Sequence, residues 1–561
     1  MPKDRMKPSV EPTKNPAAGS DLAPAPGPLV SRNGRWILLV ILVVAAYLRV
    51  SHVGLLEFKA DEANAAIMAV KFAKGQMFPQ VGLTYSVGVR QAPLYIYLLT
   101  PFFALNGDPA FFTICYGLIS ALAVGGCFLI GRRFFNERVG LVAAALFAVS
   151  PWAVVYSRKV WPQDFLPVIC TALLWMWCEF LIHKKRGYLF GIVLLSVAAA
   201  QIHLTATNLV ALLVALWLVC RFPLNAKLIG LGLAVNLALV LPYISFQMQH
   251  DWEDFHKATS VVQAHNREEV YTVQGIHPQW GFPFPSRDHF GHLLNTVGGG
   301  QLEDILGLST TDFLAQAGLL KAGVTLGKLL FVAALLTVAV AVARRARPSP
   351  TFPYFDLSSD PRLTVLLLWV LMPVVFFSLT GLRSYLSYFA LTLPAVFLLM
   401  AWLIDTGTRY FRLQGSALLR GVGVPVLWIV FGAMWLSQLT QVMELYGYLE
   451  REGGARGTYG VVYGEKRLLV ERIAQEAQVT NPIVSRDWPP QTPVENDLQY
   501  MLRRQLEHRS LPENLPAGQT QTAFVVIDAR FETPKEPLTN MQFEPFGPLH
   551  LYRVKFAPPP R

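Results

Sequence analysis

The sequence predicts an all-α polytopic membrane protein with a small α/β domain at its C-terminal end. Hydrophobic residues make up 53% of the 561 residues, charged residues only 15%, and the mean hydropathy is +0.38. Soluble globular chains are nearer a quarter charged. Apolar runs of about twenty residues, enough to cross a bilayer as a helix, recur along the chain. From about residue 446 onward, these runs give way to short strand and helix patterns.

The net charge of +11 is explained by the membrane and not by nucleic acid. The basic residues lie mostly in short loops between apolar runs, as the positive-inside rule expects of cytoplasmic loops. No compact basic domain with interleaved aromatic residues is present, so nucleic acid is not expected as a partner. All five cysteines lie inside apolar runs, which predicts neither a disulfide framework nor a zinc site.

The N-terminal part predicts a tail, a first span and an outer loop. Residues 1–35 are rich in Pro, Ala, Gly and Lys and predict a disordered cytoplasmic tail. The run 36–56 is too long for a signal-peptide core and is interpreted as a retained first span. In the outer loop 57–108, residues 63–74 have helical spacing with one wet face, which fits a helix on the membrane surface. The apolar piece 93–99 is too short to span alone.

Ten further apolar runs predict spans, which gives about eleven in all. Loops on one side carry about fifteen Lys and Arg, against about three in the short alternating loops, so the N-terminus is predicted to be cytoplasmic. An odd number of spans then places the loops 57–108 and 247–322 and the C-terminal domain outside the cytoplasm. The ten runs are 110–130, 138–156, 163–182, 188–204, 207–221, 227–246, 324–343, 363–380, 385–404 and 418–442.

Residues 446–561 predict an extracytoplasmic soluble α/β domain. No Gly-rich phosphate loop or nucleophile elbow is visible in it. The loop 247–322 is rich in His, Trp, Pro and Gly, and a lid, an acceptor-binding surface and plain connecting sequence are all open for it. The predicted elements of the domain are helices over 466–478 and 497–506 and strands over 482–485, 523–527 and 549–554.

Asp61 and Glu62 are adjacent carboxylates just after the first span. Acids are common at a helix N-terminus because the dipole favours them. Adjacent helical residues project about 100° apart, so one acid can face a cavity while the other meets a cation or caps the helix. The pair predicts a catalytic site, since a carboxylate within hydrogen-bond reach of a hydroxyl can act as a general base.

Several cations break the positive-inside pattern by lying on the outer side. Arg158 and Lys159 are such a pair, and they need a partner, which is Asp61, Glu62, Asp164 or an anionic ligand. A basic pair that snorkels at the membrane edge is the alternative.

Arg383 breaks the pattern in the same way. It is followed by Tyr385 and Tyr388, one helical turn apart, which predicts a cationic and hydrogen-bonding rim. Arg90 is a third candidate for binding substrate. His203 lies near the outer end of a span and is either a binding residue or a packed histidine. Cations of this kind suggest a phosphate, and the membrane suggests that the phosphate carries a lipid.

This order of motifs resembles the GT-C glycosyltransferases, in particular the protein mannosyltransferase and aminoarabinose transferase type. The motifs are Asp61-Glu62 after the first span, Pro93-Leu94-Tyr95 closing the first outer loop, Ser157-Arg158 in the second, and Arg383-Ser384-Tyr385 late in the chain. The resemblance covers about residues 36–445, and an outer C-terminal domain fits the aminoarabinose branch.

The resemblance implies the GT-C fold and transfer of a sugar, with inversion, from a polyprenyl-phosphate carrier to a glycan, lipid or protein acceptor. Asp61 would be the catalytic base and Glu62 its support. Arg158 and Arg383 would hold the lipid phosphate, and Arg90 would lie near a donor contact. Gln91-Ala92 stands before Pro93 where the family has His-Pro or Lys-Pro, which weakens the case for Arg90. No cofactor is expected. A divalent metal is known from the oligosaccharyltransferase branch but not expected here.

A polytopic membrane protein with outward cations is compatible with two other functions. A lipid or polysaccharide transporter or flippase should have internal repeats or matching broken spans in two halves, and neither is clear. A lipid-carrier polymerase or ligase would use the same outward cations, so the sequence separates it poorly from a glycosyltransferase.

Overall fold

The computed structural model confirms the predicted fold class, since the chain is mostly helical with a small sheet near its C-terminal end. The structure describes residues 30–85, 88–265, 287–302, 306–307, 318–345, 347–349, 352–356, 360–380, 384–413, 417, 419–490, 493–507, 509–512 and 520–556. Every predicted span overlaps a helix. The helices are α1 Arg32–Val50, α2 Ala60–Ala73, α3 Leu94–Leu105, α4 Pro109–Phe134, α5 Glu137–Val149, α6 Pro151–Val155, α7 Leu166–Ile182, α8 Tyr188–Ile202, α9 Thr207–Cys220, α10 Ala226–Gln249, α11 Glu253–His265, α12 Arg287–Gly298, α13 Gly318–Arg345, α14 Pro361–Thr380, α15 Leu393–Leu413, α16 Val424–Glu452, α17 Tyr463–Glu476 and α18 Asn496–Leu506.

Within the described residues, eight helical segments are long and apolar enough to cross a membrane, so the chain is a multi-pass membrane protein. The predicted spans 188–204 and 207–221 are shorter apolar helices, and 138–156 is divided at Ser150 into α5 and α6. The count of eleven therefore stays a prediction. The eight segments are Arg32–Val50, Pro109–Phe134, Pro162–Ile182, Ala226–Gln249, Leu320–Ala343, Pro361–Thr380, Leu386–Leu413 and Arg420–Glu452.

The first span begins slightly earlier than predicted. Helix α1 starts at Arg32, where the Ser31 hydroxyl accepts a hydrogen bond from Gly34 N at 3.0 Å and caps the helix. The rest of the predicted tail, residues 1–29, lies outside the described residues.

The C-terminal sheet has four strands in the order β5-β6-β8-β7. The pair β5–β6 is parallel, whereas β6–β8 and β7–β8 are antiparallel. All three predicted strands and both predicted helices of this region are present; strand β7 was missed, as a three-residue edge strand gives almost no pattern. The strands of the chain are β1 Arg347–Ser349, β2 Phe352–Asp356, β3 Gly454–Ala455, β4 Gly460–Val461, β5 Val484–Ser485, β6 Gln521–Asp528, β7 Glu544–Phe546 and β8 Leu549–Phe556.

Helix α2 is present as predicted, and its apolar face packs against protein; its position at the membrane surface stays a prediction. Its small apolar residues Ala63, Ala66 and Ala69 are fully buried, and the helix packs between α3 and α18. One hydrophobic core joins this part of the chain to α17, α18 and the sheet. The polar face of α2 that the sequence predicted is therefore the side that faces away from the rest of the protein. The C-terminal region packs against loop 57–108. The predicted boundary at residue 446 stays a prediction.

Candidate active site

The segment that leads into α2 is held by main-chain hydrogen bonds from the C-terminal region. Three of its carbonyl groups accept bonds from residues just before or within α17. Glu57 also forms an antiparallel β-bridge with Val462. The register of this segment is therefore set by residues about four hundred positions later. The three bonds run from the Tyr459 hydroxyl to Leu55 O (2.5 Å), from Tyr463 N to Leu56 O (3.0 Å) and from Lys466 Nζ to Phe58 O (2.8 Å).

The two adjacent acids in the first turn of α2 have different environments. Glu62 is fully buried, and its Oε2 accepts a hydrogen bond from Lys59 N at 3.1 Å, which caps the helix. Asp61, about 100° further round the helix, is exposed. The sequence predicted this division of the pair, with one acid facing outward and the other supporting it, although their chemical roles stay predictions.

Buried charges surround Glu62. Glu57 is only 2% exposed and forms ion pairs with both Lys59 and Lys159. Asp164 is equally buried, and its Oδ2 accepts a hydrogen bond from the backbone N of Lys159 at 3.2 Å. Three carboxyl groups and two ammonium groups thus lie together below the exposed Asp61, and opposite charges compensate the burial.

An open pocket of about 460 Å³ lies at the start of α2. Asp61 and Glu62 line it, and so do Glu495 and Asn496, which belong to the C-terminal region. The ring of Trp161 forms part of the wall, with Lys159 Nζ 4.9 Å from its centroid. A hydroxyl compound that enters this pocket meets a solvent-exposed carboxylate, which is the arrangement that a general base needs.

The pKa of Glu62 is raised to about 7, chiefly by burial and also by the neighbouring Glu57 carboxyl, while Lys159 and Lys59 act in the opposite direction. One oxygen of Glu62, Oε1, is buried without a hydrogen-bond partner among the described residues. Glu62 can therefore hold a proton near neutral pH, whereas Asp61 is in contact with water.

The raised pKa of Glu62 predicts that its contribution to stability is lost as the pH rises. The unfolded carboxyl has a pKa of 4.5 and the folded one about 7, so the contribution is complete below pH 4.5 and disappears through about pH 7. We expect Glu62→Gln, which is neutral at every pH, to melt at a higher temperature than the wild type, with a difference that grows from pH 5 to pH 8. Thermal melts of the purified chain at the two pH values measure this. The same difference in melting temperature between the variant and the wild type at pH 5 and at pH 8 would contradict this prediction.

Arg158 does not lie where the prediction put it. Its side chain is 3% exposed and stacks on the ring of Tyr446, 4.8 Å from the centroid. Four carbonyl groups at the end of α1 accept its hydrogen bonds, so it caps that helix, and this geometry does not support a contact with lipid phosphate. The four bonds go from Nη1 to Leu48 O (3.2 Å), Arg49 O (3.0 Å) and Ser51 O (2.6 Å), and from Nη2 to His52 O (2.8 Å).

Replacement of Arg158 by Met is expected to destabilise the chain and to leave donor affinity unchanged. The carbonyls at the end of α1 lose a charged donor, which costs about 2–3 kcal/mol. The apparent melting temperature and the KM for a polyprenyl-phosphate sugar separate the two roles. A variant that melts like the wild type but has a raised donor KM would restore the phosphate-binding role.

Lys159 and Arg90 also have partners within the chain. Lys159 was predicted to meet Asp61, Glu62, Asp164 or a ligand, but its ammonium pairs with Glu57. Arg90 pairs with Glu253 at 2.9 Å and Asp254 at 3.4 Å. The structure thus ties Arg90 to α11 and does not bring it to the α2 pocket. Arg383 lies outside the described residues.

His203, Tyr385 and Tyr388 form a second group. The His203 ring lies 5.6 Å from that of Tyr388 and 5.5 Å from that of Tyr85, and Tyr385 and Tyr388 are 5.3 Å apart. Since His203 Nδ1 accepts a hydrogen bond from Thr205 N at 3.3 Å, the ring proton is on Nε2. The structure thus brings these three residues together, and their role in binding substrate stays a prediction.

Tyr156 lies between the second group and the buried carboxyls. It is in contact with Ser387, which precedes Tyr388 in the chain, and it is near enough to Asp164 and Glu57 to interact with them electrostatically. The two groups therefore belong to one connected region.

Sequence reasoning missed Glu57 and Lys466. Glu57 appeared only as the polar end of an apolar run, and Lys466 as an ordinary residue of an amphipathic helix. A signal existed for Glu57, because an acid at that boundary next to Lys59 suggests a charge pair. None existed for Lys466, whose partner carbonyl belongs to a distant part of the chain. In the described part of the chain, no group of three His, Cys, Asp or Glu side chains could hold a metal ion.

Comparison with known proteins supports the fold and a family resemblance. Residues 90–246 match the model of the family described as dolichyl-phosphate-mannose-protein mannosyltransferase. This match covers less than a third of the chain and ends before α11, and it does not include Asp61. No curated protein matches the sequence significantly.

The fold is similar to that of ArnT from Cupriavidus metallidurans. The apo structure of ArnT has a TM-score of 0.53 at 14% identity, and the structure bound to undecaprenyl phosphate has 0.51 at 15%; each alignment covers 93% of this chain and 97% of ArnT. The archaeal oligosaccharyltransferase AglB from Archaeoglobus fulgidus aligns with a TM-score of 0.44 at 12% identity, over 80% of this chain and 58% of AglB. The predicted resemblance to the GT-C type of the protein mannosyltransferase and aminoarabinose transferase branch is confirmed.

Proposed function

We propose that this chain is an integral membrane glycosyltransferase that moves a sugar from a polyprenyl-phosphate carrier to an acceptor hydroxyl. The observation that carries the proposal is the exposed carboxylate of Asp61 in an open pocket beside a buried charge network. The fold that holds this pocket is similar to that of ArnT, which has been solved with undecaprenyl phosphate bound. The protein mannosyltransferase family that matches residues 90–246 is named for a lipid-phosphate sugar donor.

The proposed reaction is a direct displacement at the anomeric carbon. The acceptor hydroxyl oxygen forms the new bond to that carbon, and the bond from the carbon to the phosphate oxygen breaks. The bonding electrons leave with the polyprenyl phosphate, and the hydroxyl proton passes to Asp61. A single displacement inverts the anomeric configuration.

The buried residues support this step in the proposal. Glu62 caps the helix on which Asp61 stands, and Glu57 keeps Lys59 and Lys159 beside it. The two lysines supply positive charge, and the proposal requires no metal ion.

The second group is proposed to bind the donor. Tyr385, Tyr388 and His203 present hydroxyl and imidazole groups near the buried carboxyls. Arg383, two residues before Tyr385, remains the proposed ligand of the lipid phosphate, because an arginine matches phosphate with a planar fork of donors.

We place the reaction on the extracytoplasmic side of the cell membrane. The support is the distribution of Lys and Arg, which favours a cytoplasmic N-terminus. The C-terminal region contacts the first outer loop, so the two lie on the same side. A cysteine introduced in place of Asn496 should react with an impermeant maleimide in intact cells; reaction only after lysis would contradict this sidedness.

A donor panel tests the activity. The purified chain is reconstituted in vesicles with polyprenyl-phosphate mannose, glucose, galactose or aminoarabinose and a panel of hydroxyl acceptors, and the release of sugar from the carrier and its transfer to the acceptor are followed by thin-layer chromatography. We expect release from one donor class, and the anomeric configuration of the product, read by NMR, opposite to that of the donor. A product of retained configuration would contradict the single displacement.

A further inference from the structure

Two cavities meet where α2 contacts the C-terminal region. The first is the pocket at Asp61. The second, of about 200 Å³, lies over the carboxyl end of β6, and Arg486, Asp528 and Phe531 are among its lining residues. Lys59 and Glu495 line both cavities. The two cavities share these lining residues and so lie side by side, and we call them together the seam.

The lining of the seam favours a polar occupant over a lipid chain. Among the described residues, Ala60 and Trp161 are the only apolar ones that line the first pocket, so this part gives a polyprenyl tail little apolar surface. The second cavity has an apolar floor, to which Val461 and Val526 contribute, and a charged rim. An apolar floor with a polar rim suits a pyranose ring, which has apolar faces and hydroxyl groups around its edge.

The charged side chains on the rim are paired with side chains of opposite charge. Arg486 pairs with Glu532 at 2.8 Å and with Glu495 at 3.5 Å, and Arg530 pairs with Asp528 at 2.6 Å. A phosphate or a strongly acidic ligand would need cations without such partners. Arginine hydrogen-bond donors and carboxylate acceptors that are already fixed in ion pairs instead suit neutral hydroxyl groups, because a hydroxyl group both donates and accepts a hydrogen bond.

Aromatic residues stand at both ends of the seam. Phe531 is 63% exposed at the rim of the second cavity, and Trp161 lines the first. A large apolar side chain kept in water beside a polar cavity marks a binding surface.

We propose that the seam is the acceptor site and that it binds a carbohydrate of at least two sugar units, one at Asp61 and the next over Phe531. This inference rests on the proposed function for the identity of the acceptor, but the binding of a glycan to the seam does not. The C-terminal region would then determine which acceptor is glycosylated.

The test uses the full chain in lipid nanodiscs with mannotetraose, cellotetraose and chitotetraose as ligands, followed by saturation-transfer NMR and calorimetry. We expect saturable binding of at least one tetrasaccharide, weakened about tenfold by Phe531→Ala. Phe543→Ala, at an exposed phenylalanine that does not line the seam, is the matched control and should bind normally. No saturable binding of any of the three, or equal binding by the two variants, would overturn the proposal.

A second arm separates this inference from the proposed function. With an active donor, Phe531→Ala should raise the acceptor KM about tenfold, whereas the control Phe543→Ala should leave it unchanged. An unchanged acceptor KM in Phe531→Ala, or an equal rise in both variants, would overturn the acceptor role. If the wild type consumed no polyprenyl-phosphate sugar but still bound a tetrasaccharide through Phe531, the proposed function would fail and the glycan site would stand.

Discussion

Asp61→Asn is expected to lower the rate of sugar transfer about 10²- to 10⁴-fold, the usual contribution of a general base. The change removes one proton-accepting oxygen and keeps the size of the side chain. Because Asp61 is exposed and forms no ion pair with another described residue, the variant should melt like the wild type. Initial rates at saturating donor and acceptor give the comparison.

Glu471→Gln is the matched control for Asp61→Asn. Glu471 is a surface acid of α17 whose side chain is 39% exposed, and its loss should leave the rate within a factor of two of the wild type, since surface changes are worth about 0.5 kcal/mol or less. Retention of more than half of the wild-type rate by Asp61→Asn would exclude the carboxylate as the base.

Lys466→Met has the second-largest expected effect, and it acts on both stability and catalysis. Lys466 is 5% exposed, pairs with the buried Asp497 and donates to Phe58 O. Removal of one partner of a buried ion pair costs about 3–5 kcal/mol. The chain before Asp61 also loses one of its three main-chain contacts, and a displacement of about 1 Å at a reacting group can lower kcat about a hundredfold.

A double variant separates these two effects. Adding Asp497→Asn to Lys466→Met removes the uncompensated charge and should restore much of the lost stability. The carbonyl of Phe58 still lacks its donor, so kcat should stay low while the donor KM stays near that of the wild type. Recovery of kcat in step with the melting temperature would show that Lys466 acts on stability alone.

The helices of the membrane body could be predicted because lipid and protein interior both select long apolar runs. The pattern that identified the span 363–380 is the same whether Trp369 contacts a neighbouring helix or lipid, so burial by protein could not be predicted from it. The two strands that contain Val525 and Leu551 could also be predicted from the sequence, because apolar residues with a high β-propensity are concentrated there.

The contacts that build the site were not predictable in the same way. The bonds from Tyr459, Tyr463 and Lys466 end on main-chain carbonyls, and every residue has a carbonyl. The sequence thus carries no sign of which segment the C-terminal region will contact. Arg158 illustrates the same limit. Because it breaks the positive-inside pattern in the sequence, it was expected to have a partner. Its partners are backbone carbonyl groups at the end of α1, which no sequence pattern marks.

The division between Asp61 and Glu62 was predictable in kind, because the 100° step between adjacent helical residues lets one of them face the core while the other faces away. Which one is buried depends on where α18 and the charged cluster lie, and that is a property of the folded chain.

The most direct test of the central claim uses one donor with two labels, a polyprenyl phosphate carrying ³²P in the phosphate and ³H in the sugar. The donor is given to the reconstituted chain with the acceptor that it uses. We expect the ³H to appear in the acceptor and the ³²P to stay with the lipid, one for one. Transfer of both labels to the acceptor, or passage of the intact doubly labelled lipid across the membrane without transfer, would contradict a glycosyltransferase.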